Sequence, residues 1–172
     1  MTLIAPTLSD ADAVAAVAAE AFIATFAHLY PPEHLEQHLA EWMPPAKCAT
    51  QIADFAWPMM LWRDDAGLSG YAKLGPIDFA LPADYGDAAD TIELHHLYML
   101  DRAKGSGAAQ ALMSWAIDHA RDAGFARMVL SVFIDNHRAQ AFYKRYGFVE
   151  IGKNPYVVGD TVDDDRIWML RL

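Results

Sequence analysis

The chain has 172 residues, 54% of them hydrophobic and 21% charged, which suits one domain spanning 1–172 with its own core and excludes a disordered, fibrous or repetitive chain. Its formal net charge of -10 repels phosphate backbones, so nucleic acid is not an expected partner, whereas a cationic small molecule or a lysine-bearing protein suits that surface. The single cysteine, Cys48, rules out an intramolecular disulfide and is expected to be core packing; it cannot by itself make a metal site, and none is expected.

The first residues, MTLIAPTLSDADA, lack the basic flank and continuous apolar core of a signal peptide. No stretch reads as a span of roughly 20 apolar residues, so no membrane is expected and the default compartment is the cytoplasm. From Ser9 to about Ala27 the chain is Ala/Val-rich, with Val14, Val17, Ala21 and Phe22 on one face, and predicts a capped helix. Pro31 and Pro32 then open a second helix with Leu35, Leu39 and Trp42 on one face, stopped by Pro44 and Pro45. Between Met59 and Ala80, hydrophobic runs alternate with turn residues, and Asp64, Asp65 and Gly67 predict a hairpin. Pro82 to Asp90 reads as a polar loop, and Thr91 to Leu100 as a strand that alternates only in part, which implies burial on both faces or a bulge.

The stretch KGSGAAQALM, Lys104 to Met113, leads into helical spacing at Ala109, Leu112, Met113, Ala116, Ile117 and Ala120, which Gly124 ends. Met128 to Ile134 is an apolar strand, Asn136 to Tyr146 a helix closed by Gly147, and Phe148 opens another strand. Tyr156 to Val158 and Ile167 to Leu170 flank a polar turn, GDTVDDD, as a terminal hairpin. The class is mixed α+β.

A glycine turn between a strand and a helix N-terminus leaves several backbone N–H groups aimed one way, with the helix dipole behind them, and so makes an anion site. Gly105 and Gly107 allow close approach, Ala108 and Ala109 keep the helix start bare, and Lys104 adds a local cation. A glycine turn needed only for its geometry is the plain alternative. It is neither a Walker loop nor a complete dinucleotide fingerprint, which disfavours a nucleotide-binding structural domain.

About 30 residues on comes NHRAQAFYKRYGF. Lys104, Gly105, Ser106, Gly107, Ala108 and Ala109 together with Asn136, Ala139, Phe142, Tyr143, Tyr146, Gly147 and Phe148 resemble the GCN5-related N-acetyltransferase (GNAT) superfamily, over roughly Ile92 to Ile151. The resemblance implies the GNAT fold, a mostly antiparallel mixed sheet flanked by helices around a strand-helix-strand acetyl-CoA core, and acetyl transfer from acetyl-CoA to an amine. The family's pyrophosphate loop is Gln or Arg, two residues, Gly, one residue, Gly or Ala; it fits Arg102 to Gly107 or Lys104 to Ala109, and the second is preferred, with Lys replacing the planar cation. Gln110 follows in the same helix start. FIATFAHLYPPEHL and VVGDTVDDDRIWML are similar to the PaiA-type polyamine and diamine N-acetyltransferases, which implies a small amine acceptor ahead of a protein lysine or N-terminus, with His28 and Tyr30 near its pocket.

By the same resemblance, Tyr143, seven residues after Asn136, is the general acid for the departing thiolate; packing in an aromatic stripe is its plain alternative. Asn136 caps its helix and reaches the cofactor. The backbone at Leu97, Tyr98 and Met99 binds the pantetheine and polarises the thioester carbonyl. Some members place a glutamate where Ser131 stands, which cannot act as a base, so Glu93 is the favoured general base, His95 the second, and His96 should point to the opposite face of a regular strand. Asp163, Asp164 and Asp165 read as a solvated turn or, alternatively, as an attraction for a cationic acceptor. Trp42, Trp57, Trp62, Trp115 and Trp168 leave room for an aromatic interface and a homodimer. The competing function is a non-catalytic acyl-CoA-binding regulatory module.

Overall fold

A computed structural model of the chain describes residues 2–85 and 88–172. Strands β1 (Thr2–Ile4), β2 (Met59–Asp64), β3 (Gly67–Gly75), β4 (Thr91–Met99), β5 (Arg127–Phe133), β6 (Val149–Val158) and β7 (Thr161–Arg171) form one sheet in the order β1-β2-β3-β4-β5-β7-β6. Every neighbouring pair is antiparallel except β4 and β5. That parallel pair is joined by the crossover helix α4 (Ala108–Asp122), as parallel pairing requires.

Helices α1 (Ala11–Phe26), α2 (Pro32–Trp42) and α3 (Pro45–Ala53) cover one face of the sheet, where Val14, Val17, Ala18 and Phe22 pack on Leu61, Tyr71 and Val158. Helices α4 and α5 (His137–Arg145) cover the other, where Leu112, Met113, Ala116 and Ala120 pack on Leu74, Leu94, Met128, Leu130 and Trp168. Gly124 and Gly147 stand at φ of 84° and 90° just past α4 and α5, where only glycine is unstrained, and turn the chain into the next strand.

The structure departs from the sequence-based expectations in several places. Pro44 and Pro45 end α2, but Pro45 is also the first residue of α3, because proline lacks the N–H that a helix start leaves unpaired in any case. The strand Thr2–Ile4 is fixed only by its pairing with Leu61, Trp62 and Arg63. The polar turn of the last hairpin shrinks to Gly159 and Asp160, and Asp163, Asp164 and Asp165 lie inside β7. Within the expected loop Pro82 to Asp90, Ala83–Tyr85 and Ala88–Asp90 form short 3-10 turns, and Gly86 and Asp87 lie outside the described residues. Leu8–Leu29 is long and apolar enough to cross a membrane by length and composition, contrary to the expectation from the sequence, yet Val14, Val17, Ala18 and Phe22 spend its apolar face on the core. The tryptophans form no single patch: Trp168 is buried on β7, Trp62 stands on β2 at the far side of the sheet, Trp115 packs on that same face from α4, and Trp57 lies with Lys73 on the opposite face.

Candidate active site

Strands β4 and β5 pair only at Thr91 with Arg127, Ile92 with Met128 and Glu93 with Val129. Beyond that rung β4 continues for six residues against β3 alone, while β5 turns to β7, so the two parallel strands splay into a cleft. Leu97, Tyr98 and Met99 line the open part of β4 and have no ladder partner on the β5 side among the described residues. Unpaired strand N–H groups facing a cleft are donors for an extended ligand.

At the mouth of the cleft, a 3-10 turn over Asp101–Ala103 leads through Lys104, Gly105, Ser106 and Gly107 into α4. Gly105 and Gly107 hold φ of 82° and 88°, and the space where a Cβ would stand is open at both. Their requirement is therefore the left-handed backbone, and the open side is available to a ligand. Ser106 Oγ donates to the Ala103 carbonyl at 2.7 Å and accepts from the Ala108 N–H at 3.3 Å, which closes the turn. The N–H groups of Gly105, Gly107, Ala109 and Gln110 meet no backbone acceptor among the described residues, and the helix dipole stands behind them. This cradle fits a diphosphate.

Two features of the loop were not foreseen. Lys104 ion-pairs with Asp101, so its charge is already shared. The non-helical segment ends at Gly107, which coincides with the register Arg102 to Gly107, whereas Lys104 to Ala109 runs two residues into α4. Arg102 does not face the loop: its guanidinium holds Asp64 at 3.1 Å and the Leu68 carbonyl at 2.6 Å, tying the turn to the β2–β3 hairpin.

Asn136 caps α5, its Oδ1 accepting from the Ala139 N–H at 3.1 Å. About two turns later Tyr143 sits between Phe142 and Phe148, with ring centroids 5.8 and 5.7 Å away. Its hydroxyl has no hydrogen-bond partner among the described residues, and burial pushes it up to about 12. The phenol therefore keeps its proton and has it free to donate. At the open end of the cleft Phe133 closes β5, with Asp165 its register partner on β7 and Tyr156 of β6 paired with Asp163.

At the closed end the register slips between Lys73 and Leu74, so that His96 faces Lys73, Leu94 faces Leu74, and His95 is the extra residue of a β-bulge. The bulge overturns the expected alternation: Glu93, His95 and His96 all lie toward α1–α3. His96 is stacked on Tyr98 at 4.5 Å, with Nδ1 bonded to the Tyr71 hydroxyl, and burial keeps it neutral. It is a packing residue. His95 Nε2 lies 2.8 Å from the Pro76 carbonyl, an acceptor only, so that nitrogen carries the hydrogen and Nδ1 presents a lone pair to Glu93 Oε1 at 3.2 Å. Burial holds His95 well below its ordinary value. Glu93 is 4% exposed; burial first, and then the Asp78 carboxylate, push it up to about 8. A proton on Glu93 directed at His95 Nδ1 satisfies both groups. Lys73, a buried cation lowered by burial to about 8, lies near this pair, anchored to Gln51 at 3.2 Å. Sequence reasoning missed Lys73 and Asp78, which only the fold brings to Glu93.

The wall opposite β4 carries a second group. Asp163 is buried and accepts from the Tyr30 hydroxyl, while Asp165 takes a hydrogen bond from Ser131. Tyr156 bonds His38 at 3.1 Å, and Phe133 meets Phe26 edge-on at 6.5 Å. Ser131, where no base can act, thus orients a carboxylate on the next strand. Burial raises Asp165 to about 6. Tyr30 belongs to this wall through its bond to Asp163, whereas His28 is exposed on the surface.

The pattern of the acetyltransferase (GNAT) family matches residues 20–148. An uncharacterized N-acetyltransferase of Mycobacterium bovis is 33% identical over 165 residues, covering 96% of this chain and 99% of the relative. Among solved structures, the PaiA N-acetyltransferase of Thermoplasma acidophilum in complex with coenzyme A superposes with a TM-score of 0.77 at 20% identity, over 99% of this chain and 98% of that one. YncA of Salmonella typhimurium, solved with its cofactor acetyl-CoA, superposes at 0.70 with 21% identity, over 100% and 94%.

Proposed function

The chain belongs to the acetyltransferase (GNAT) family, and from that premise we propose that it transfers the acetyl group of acetyl-CoA to a primary amine, a polyamine or other small amine ahead of a protein lysine or N-terminus. When bound, acetyl-CoA supplies an activated acetyl thioester. The backbone donors of Gly105, Gly107, Ala109 and Gln110 hold the diphosphate. Leu97, Tyr98 and Met99 offer strand N–H groups to the pantetheine and to the thioester oxygen. Asn136 steadies the start of α5, so that Tyr143 reaches the same region.

Tyr143 donates to the departing sulfur. A phenol raised to about 12 gives up its proton uphill to a thiolate of ordinary value about 8.5, so its first contribution is a hydrogen bond formed as the C–S bond stretches, with water restoring the proton. An alkylamine of ordinary pKa about 10.4 is almost wholly charged at pH 7. Toward pH 8, where Glu93 ionises, the Glu93–His95 pair takes the proton that the amine must lose, directly or through water.

The observation that carries this reading is the splay of β4 from β5 beyond Glu93, with the glycine loop at its mouth and an acidic, aromatic wall beside the splayed end of β5. The test is Tyr143→Phe. Acetyl-CoA affinity stays within about twofold while turnover falls by roughly a hundredfold or more; equal turnover in the two proteins removes Tyr143 from the acid role. A non-catalytic acyl-CoA-binding module is the rival, and it requires that no amine be acetylated by the wild-type chain.

A further inference from the structure

Asp165 lies on β7 with Phe133 of β5 and Asn154 of β6 as its register neighbours. Asn154 Nδ2 donates to Ser131 Oγ at 3.1 Å, and Ser131 Oγ donates to Asp165 Oδ2 at 3.3 Å. An amide N–H can only donate, so it fixes Ser131 as acceptor on that side and sends the hydroxyl hydrogen to the carboxylate. Three strands thus cooperate to aim one side chain. The other oxygen, Oδ1, has no partner among the described residues.

Among the described residues no cation pairs with this carboxylate. Arg166, next in sequence, pairs with Glu150 at 3.1 Å and Asp164 at 2.6 Å. Asp163 adds a second, buried carboxylate two residues away, held by Tyr30. From β6 and β4 the neighbouring polar groups are the neutral hydroxyls of Tyr156 and Tyr98, both raised by burial, and Phe26 with Phe133 supplies apolar wall. A half-buried carboxylate oriented by a dedicated relay, without a counter-charge, is costly unless something cationic binds it. Carboxylate together with aromatic faces is the chemistry that recognises an ammonium. Asp165 is the register partner of Phe133, the last residue of β5, at the end where β5 has parted from β4.

We propose that Asp165 is the acceptor-binding carboxylate of the cleft: oriented by Asn154 and Ser131, its free oxygen pairs with a positively charged nitrogen of the acceptor, which enters as a cation between aromatic walls. This rests on the transferase reading above and adds to it the residue that selects charge. Glu93 then serves proton removal and Asp165 serves recognition.

The test compares wild type with Asp165→Asn on two acceptors of similar size, benzylamine, charged at pH 7, and aniline, neutral there. The variant raises KM for benzylamine about tenfold or more, leaves KM for aniline within about twofold, and leaves acetyl-CoA affinity unchanged. An equal change for both amines, or none for either, overturns the proposal. Should Asp165→Asn not fold, Ser131→Ala shifts KM in the same direction by a smaller factor. If the wild type acetylates no amine, the transferase reading fails by itself and spermidine titration followed by NMR still decides Asp165. Saturable spermidine binding that weakens about tenfold in the variant supports it; equal binding, or none to either protein, overturns it.

Discussion

Replacing Glu93 by Gln keeps the shape of the side chain and a carbonyl for the Asp78 N–H, which lies 3.1 Å from Glu93 Oε2, but removes the charge. The groups facing Glu93 are the carboxylate of Asp78, the lone pair of His95 and the ammonium of Lys73. Their balance, with burial dominant, lifts Glu93 from an ordinary 4.5 to about 8. The folded chain then keeps a proton that the unfolded chain releases above pH 4.5, so this group makes folding less favourable as pH rises from 4.5 to 8. The penalty is roughly 3 kcal/mol at pH 7 and about 5 kcal/mol above pH 8, and under about 1 kcal/mol at pH 5. Urea unfolding of both proteins at pH 5, 7 and 8.5 reads it directly: Glu93→Gln should be nearly as stable as wild type at pH 5 and more stable by up to these amounts at the higher values. In the same variant kcat/KM should fall by about a hundredfold or more, with loss of the limb that rises toward pH 8. A variant no more stable at pH 8.5 than wild type would refute the buried, protonated Glu93, and one that keeps the limb would refute its role as base.

Gly107→Ala forces a side chain into φ of 88° at the start of α4; the expected loss is about 1 kcal/mol in stability and a weaker acetyl-CoA affinity by calorimetry, because the donors of the loop lose their alignment. Asn136→Ala removes the α5 cap and should cost about 1 kcal/mol in denaturant unfolding, with turnover reduced through Tyr143 more than through acetyl-CoA binding.

Local chemistry made much of the frame readable. Asp64, Asp65 and Gly67 specified a hairpin by turn propensity alone, and Gly124, Gly147 and Asn136 marked helix ends because a left-handed glycine and a side-chain cap act within a few residues. What escaped depends on distant partners. Thr2–Ile4 is too short to pattern as a strand and is made one by β2. The acidic run in β7 read as a turn because three consecutive aspartates suggest solvent; Tyr30, more than a hundred residues earlier, is what makes Asp163 a buried member of a wall. The bulge at His95 hid in the same way, since an inserted residue changes facing without changing composition. Glu93 and His95 were visible as titratable strand residues, but their 3.2 Å contact is a product of that bulge.

The most direct measurement is the rate of CoA thiol release from acetyl-CoA by the purified chain, with and without an alkylamine. Release that requires the amine, accompanied by one acetylated amine per thiol by mass spectrometry, is the expected result. Binding of acetyl-CoA with no amine-dependent release across polyamines, diamines, amino acids and lysine peptides would contradict the transferase and leave a chain that binds the thioester without passing it on.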